Sequence, residues 1–218
     1  MVLERKKRIV LYGAGGFGRE VALILSGLKE KYELVGFVDD GLQHKKGTEI
    51  AGVPFLGGRE WILEHNDEDV YYNCCVANTK VKADIQEKLT EMGIRFESII
   101  ANDVYIPKSS VIGPGCVIYS NVSISVNCEI GAGVLLNNGV TVGHDAKIGD
   151  YSTVMPGTGI SGACNIGKKV RIGGHAYIVP GKKVGDYATI AAGSVVFSNV
   201  KEGTTVLGNP AKRMRGLE

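Results

Sequence analysis

Two adjacent side chains, His144 and Asp145, carry the clearest chemistry in this chain. Histidine is the side chain best suited to accept a proton near neutral pH, and a carboxylate beside it can orient the ring and stabilise the imidazolium. Gly162 follows His144 by 18 residues. If the chain winds with that period, the glycine stacks on the same edge and leaves a backbone N–H open to a ligand. A proton acceptor and an N–H donor one strand spacing apart suit acyl transfer to an amine or hydroxyl, with the amide holding the oxyanion of the tetrahedral intermediate. The remaining histidines read otherwise. His44 falls in a polar loop, His65 ends a helical stretch and His175 occupies an exposed corner.

A second candidate is the run Gly13-Ala14-Gly15-Gly16-Phe17-Gly18, which satisfies GxGxxG between a strand and a helix, with Asp39 21 residues after Gly18. That placement suits a dinucleotide site with a ribose-binding acid. It equally suits another nucleotide-linked ligand whose phosphate approaches backbone amides, or a turn that serves packing alone. Nothing later in the chain looks like a hydride-transfer domain, so the second half of the sequence decides.

Residues 1–105 alternate apolar runs with helical patterns. Arg8–Tyr12, Glu33–Val38, Val53–Leu56, Val70–Ala77 and Phe96–Ile100 read as strands, and Arg19–Leu28, Glu60–His65 and Lys80–Met92 as helices. That order predicts an α/β Rossmann-like domain with a parallel sheet. From Ile106 the period becomes six. Every sixth residue to Val196 is Ile, Leu or Val, often followed by Gly, with a small or β-branched residue four places on. Lys182 is the one clear breach of that last slot. Each hexapeptide gives a short strand and a corner, three make a coil of 18, and coils stack at about 4.8 Å. The expectation is a parallel β-helix over 106–201 and a closing tail over 202–218. Glycine supplies backbone conformations at its corners, and Cys116, Cys128 and Cys164 fill small inward slots.

The balance of 25 basic and 23 acidic residues gives a net charge of +2, which argues against a nucleic-acid partner that needs a basic face. No run of 18 apolar residues predicts a membrane span. Met1–Arg8 is charged and runs into a strand, unlike a secretory signal, and Leu217–Glu218 is given no functional meaning. Five cysteines without a CxxC pair suggest a reduced, cytoplasmic setting and no zinc site. Base and donor would face a groove between prisms, so a homotrimer with sites between subunits is expected.

The whole chain resembles the bacterial sugar N- or O-acetyltransferases of the PglD/NeuD type. The resemblance rests on Leu11-Tyr12-Gly13-Ala14-Gly15-Gly16-Phe17-Gly18, Gly36-Phe37-Val38-Asp39-Asp40, the hexapeptides containing Gly143-His144-Asp145, and Val206-Leu207-Gly208-Asn209-Pro210-Ala211-Lys212. It implies a left-handed β-helix and transfer from acetyl-CoA to the 4-amino group of a nucleotide-linked amino-deoxy sugar. On that likeness His144 is the general base and Asp145 raises its basicity. Gly15, Gly16 and Phe17 hold the nucleotide sugar, Asp39 and Asp40 face its base or ribose, and Ala77 and Asn78 lie nearby. Acetyl-CoA runs near Thr153, Gly162, Gly174 and Ala192, and Asn137 meets the sugar. The sequence departs from relatives at Phe17 and Thr153, where some carry His, and at Ala77, where Gly is common.

Three other functions use the same features. The glycine loop also resembles the sialic-acid O-acetyltransferase branch, which would use His144 on a hydroxyl. A zinc enzyme would need three histidine ligands, and His144 and His175 stand 31 residues apart. A non-catalytic nucleotide-sugar scaffold would lack coenzyme A binding.

Overall fold

A computed structural model describes residues 5–67 and 69–214, so part of Met1–Arg8 and all of Leu217–Glu218 lie outside the described residues. The chain divides into two compact units, Met1–Asn102 and Asp103–Glu218. Among the described residues no helix is long and apolar enough to cross a membrane.

The first unit is built on strand β1 (Lys7–Tyr12), whose Ile9, Val10 and Leu11 are fully buried. A strand covered on both faces needs such a continuous apolar run. It is followed by α1 (Gly16–Ser26), β2 (Tyr32–Val38), β3 (Glu49–Ile50), β4 (Val53–Gly57), α2 (Arg59–Glu64), β5 (Val70–Cys74) and α3 (Thr79–Glu91). The sheet order is β3-β4-β2-β1-β5. Helix α1 buries Gly18, Val21 and Leu25 at helical spacing.

Four expectations for this unit need correction. The sheet is not wholly parallel, because β3 pairs antiparallel with β4 in a hairpin. Helix α1 begins at Gly16, inside the glycine run and three residues before Arg19. The β5 strand stops at Cys74, since Asn78 starts α3 by capping the Lys80 and Val81 amides through Oδ1. Phe96–Ile100 reduces to a bridge from Phe96 to Tyr72 and a two-residue strand at Ile99–Ile100.

The second unit is a left-handed parallel β-helix. Its first face stacks strands beginning with Val111–Ile112 and ending with Lys183–Val184, each 18 residues after the last. Strands from Val117–Ile118 to Thr189–Ile190 form the second face, which Thr205–Leu207 and Lys212–Arg213 extend. The third face runs from Ser123–Ile124 to Val195–Val196. Every inward aliphatic from Ile118 to Val196 is buried, whereas Ile106 lies outside any strand and is half-buried.

The small slots do more than fill space. Cys116 Sγ donates to the Gly131 carbonyl, Cys128 to Gly143 and Cys164 to Val179, each 15 residues on. Ser110, Ser152 and Thr158 make the same bond to Ser125, Gly167 and Gly173. The role of the glycine that often follows an aliphatic also changes. A Cβ on Gly143 or Gly173 would fall on the backbone of the next coil, at Gly162 and Ala192, so these glycines permit close stacking. Left-handed backbone occurs two residues later instead, at Asn127, Asp145, Ala163, His175 and their equivalents.

Ile160→Ala should therefore lower the unfolding free energy by about 2–5 kcal/mol, the usual cost of emptying a buried aliphatic site. Cys164→Ser keeps a donor in a slot where Ser110 and Ser152 already sit, and should shift it by less than about 1 kcal/mol. Urea denaturation monitored by circular dichroism compares the two.

Candidate active site

Three edges of the prism differ in what they expose. Between the third and first faces lie Val126, His144, Gly162 and Pro180, each two residues beyond an inward aliphatic. His144 Nδ1 lies 2.7 Å from Asp145 Oδ2, and the two side chains are 63% and 52% exposed, open to a substrate. An ionised carboxylate only accepts, so Nδ1 carries the hydrogen and the lone pair sits on Nε2. Asp145 is held below the usual carboxylate range, first by the hydrogen bond with His144 and then by that with Asn127. It therefore stays charged until the pH falls below that range.

The ring of His144 reaches over Gly162. A Cβ there would lie 2.5 Å from Nε2 and 2.7 Å from Cε1, so the missing side chain makes room for the imidazole as well as for a ligand. The Gly162 N–H has no partner among the described residues. Its counterparts show what such an amide takes. At the same position of other hexapeptides, Ala132 N donates to Asp150 Oδ1 at 3.0 Å and Lys168 N to Asp186 Oδ1 at 2.9 Å. The coil after Gly162 supplies Pro180, which has no carboxylate. An amide geometry that elsewhere holds an anionic oxygen is here left open beside a proton acceptor.

The edge between the second and third faces carries Asn137, Gly174 and Ala192. The Gly174 and Ala192 amides, one coil apart, also have no partner among the described residues, a ladder suited to ligand carbonyls. Asn137 Oδ1 accepts from the Asn138 amide at 2.7 Å. His175 stands exposed here, its ring over Gly157. Thr153 lies on the second face and is only 3% exposed. Within one chain the structure thus joins His144, Asp145 and Gly162, sets Gly174 and Ala192 one coil apart on another edge with Asn137 two coils before Gly174, and keeps Thr153 apart.

In the first unit, the strand order reverses between β2 and β5 around β1, the place where open parallel sheets bind ligands. The glycine run lies there. Gly13 (φ +109°) packs against the Cys75 carbonyl, and a Cβ on Gly18 would strike the Gly13 carbonyl, so both serve packing. Gly15 and Gly16 face open space. Gly15 caps α1 without a side chain, and no acid occupies the first turn, which favours an anion. Phe17 is half-buried in that turn, and Ala77 is exposed just beyond β5.

Asp39 and Asp40 hold the loops around this crevice. Asp39 accepts from the Ala14 amide at 3.0 Å and the Gly41 amide at 2.9 Å, tying the glycine run to the end of β2. Asp40 accepts from the Tyr12 hydroxyl at 2.7 Å and from Arg59 N and Nε at 2.8 Å. Burial opposes its charge, but the Arg59 and Tyr12 hydrogen bonds prevail and keep it below the usual carboxylate range. Sequence reasoning missed Arg59, which no motif marks, the tie of Tyr12 to Asp40, although Tyr12 stands in the glycine-loop motif, and Asn127. Asn127 donates to Asp145 Oδ1 at 3.0 Å, and its place 18 residues earlier was countable from the repeat.

Residues 8–89 match the PglD N-terminal domain family and residues 100–209 the GMPPB C-terminal domain family. The chain is 34% identical over 154 residues to the GDP-perosamine N-acetyltransferase of Escherichia coli O157:H7, covering 67% of this chain and 66% of that protein. It superposes on the acetyltransferase domain of PglB from Neisseria gonorrhoeae FA1090 in complex with acetyl coenzyme A. The TM-score is 0.90 at 28% identity, over 96% of this chain and 100% of that one. WeeI from Acinetobacter baumannii AYE gives 0.84 at 30% identity, over 94% and 99%.

Gly15→Ala and Gly16→Ala should leave thermal stability within about 1 kcal/mol of the parent, and a smaller melting-temperature shift with GDP or UDP than in the parent is the result expected of an anion held at the start of α1. Gly18→Ala should lose about 1–3 kcal/mol through overpacking, with or without nucleotide.

Proposed function

The chain belongs to the PglD-type sugar acetyltransferases, and on that basis we propose that it transfers the acetyl group of acetyl-CoA to the 4-amino group of a nucleotide-linked amino-deoxy sugar. The observation that carries this reading is His144, fixed through Nδ1 by Asp145 and leaning over the open amide of Gly162. The E. coli relative is named for GDP-perosamine, a nucleotide-linked sugar, and the Neisseria domain binds acetyl coenzyme A.

Acetyl-CoA supplies an activated acyl carbon and a thiolate leaving group. Neutral His144 takes through Nε2 the proton of the attacking sugar amine as its nitrogen bonds to that carbon. The Gly162 N–H holds the carbonyl oxygen while it carries negative charge. His144 then returns the proton to the departing sulfur as the C–S bond breaks, leaving an amide and coenzyme A. Asp145 keeps the ring in the useful tautomer and stabilises its charged form.

In this reading the 1–105 domain holds the nucleotide sugar with Gly15, Gly16 and Phe17, the 106–201 domain performs the transfer, and 202–218 closes it. Gly174 and Ala192 offer their amides to the coenzyme. They lie on a different edge from His144, which supports a closed homotrimer in which adjacent prisms bring unlike edges together. Both substrates, and five cysteines without a disulfide, support a cytoplasmic setting.

Free-thiol release from acetyl-CoA, measured with UDP-, TDP- and GDP-linked 4-amino-6-deoxy sugars and with sialic acid, tests the reaction. Turnover with one nucleotide-linked amine is expected. His144→Ala should lower it by about 10²–10⁴-fold and leave acetyl-CoA binding intact. Full activity in that variant, or turnover with sialic acid alone, would overturn the reading.

The shared site has its own test. Trimers reassembled from His144→Ala chains and chains carrying Ala192→Pro, which removes one open amide, should recover activity that neither variant shows alone. No recovery, or a monomer by sedimentation, would rule out sites between subunits.

A further inference from the structure

Asp145 divides its carboxylate between two partners: Oδ2 meets His144 Nδ1 at 2.7 Å, and Oδ1 accepts from Asn127 Nδ2 at 3.0 Å. We propose that Asn127 is a positioning residue for acyl transfer, fixing the carboxylate so that its second oxygen selects the Nδ1–H tautomer of His144. The inference rests on His144 acting as the base.

An exposed His–Asp pair has rotamer freedom to lose before it can work, and one hydrogen bond lets both groups swing together. Asn127 removes that freedom from the far side. Its own position is anchored twice, since its N–H donates to Ser109 Oγ at 3.1 Å and the Val126 carbonyl accepts the Asp145 N–H at 3.0 Å. Both residues have left-handed backbone, with φ 58° at Asn127 and 59° at Asp145, a conformation that Asn and Asp tolerate better than other side chains. The coil period therefore stacks one directly on the other. The amide must turn its NH₂ toward Asp145, because an ionised carboxylate offers only acceptors. On the opposite side, Ala163 occupies the stacked position and has no side-chain donor. Among the described residues, Asn127 and His144 are the side-chain donors to Asp145.

An asparagine also suits a left-handed corner for purely conformational reasons, so the test must keep the corner and remove only the amide. Asn127→Gly does this, as Gly115, Gly133 and Gly139 fill equivalent corners. Its kcat should fall about tenfold, with the KM for acetyl-CoA within about twofold of the parent. Ring ¹⁵N shifts of His144 should move from the Nδ1–H tautomer toward a mixture. In an Asp145→Ala background, Asn127→Gly should cost nothing more, because the carboxylate it serves is gone. An unchanged kcat in Asn127→Gly, with His144→Ala still inactive, would reduce Asn127 to a corner residue. The same factor lost in both backgrounds would overturn the role as well. A fully active His144→Ala would overturn the base assignment and the role of Asn127 with it.

Discussion

Parallel pairing of residue i with residue i+18 is the constraint from which the rest of the second unit follows. Once the ladder is closed, each side chain acquires a fixed neighbour one coil above and one below at about 4.8 Å. Inward aliphatics then form a continuous column, and thiols and hydroxyls in the small slots reach carbonyls 15 residues on. Where a glycine follows the aliphatic, the same spacing leaves no room for a side chain, since a Cβ at Gly143 would occupy the place of the Gly162 nitrogen.

That regularity makes the exceptions chemically meaningful. Where it is not proline, the residue two places beyond an inward aliphatic holds its amide outside the ladder, and at Ala132 and Lys168 an aspartate from the next coil satisfies it. At Gly162 the next coil presents Pro180 and the donor stays open, with an imidazole over it. What sets Gly162 apart from the open amides of Gly174 and Ala192 is the imidazole beside it, which makes this corner a place where charge can develop. The His144–Asp145–Asn127 chain obeys the same rule, as two of its members are stacked corner residues with left-handed backbone.

The α/β unit follows a different logic. Its ligand-facing features are set by what the glycines touch: Gly13 and Gly18 permit packing, whereas Gly15 and Gly16 leave the start of α1 bare. Asp39 and Asp40 each spend their oxygens on backbone amides or on Arg59 and Tyr12. They shape the rim of the crevice by fixing its loops, which is a geometric contribution in addition to any contact with a nucleotide.

The sequence by itself determined the hexapeptide column, the strand order of coils and the alignment of His144 with Gly162. A repeat fixes spatial neighbours by counting, because ladder register converts separation along the chain into position. It also placed the glycine run at the junction of β1 and α1 through local turn preference, though not the start of α1 inside that run. Only the tertiary structure decided which amides stay open, why glycine so often follows an aliphatic, and that Thr153 is buried. It alone paired Asp40 with Arg59, 19 residues away, and with Tyr12, 28 away, and turned β3 back against β4. Those outcomes depend on rotamers and competing donors brought together by non-repeating chain paths, for which sequence spacing offers no ruler.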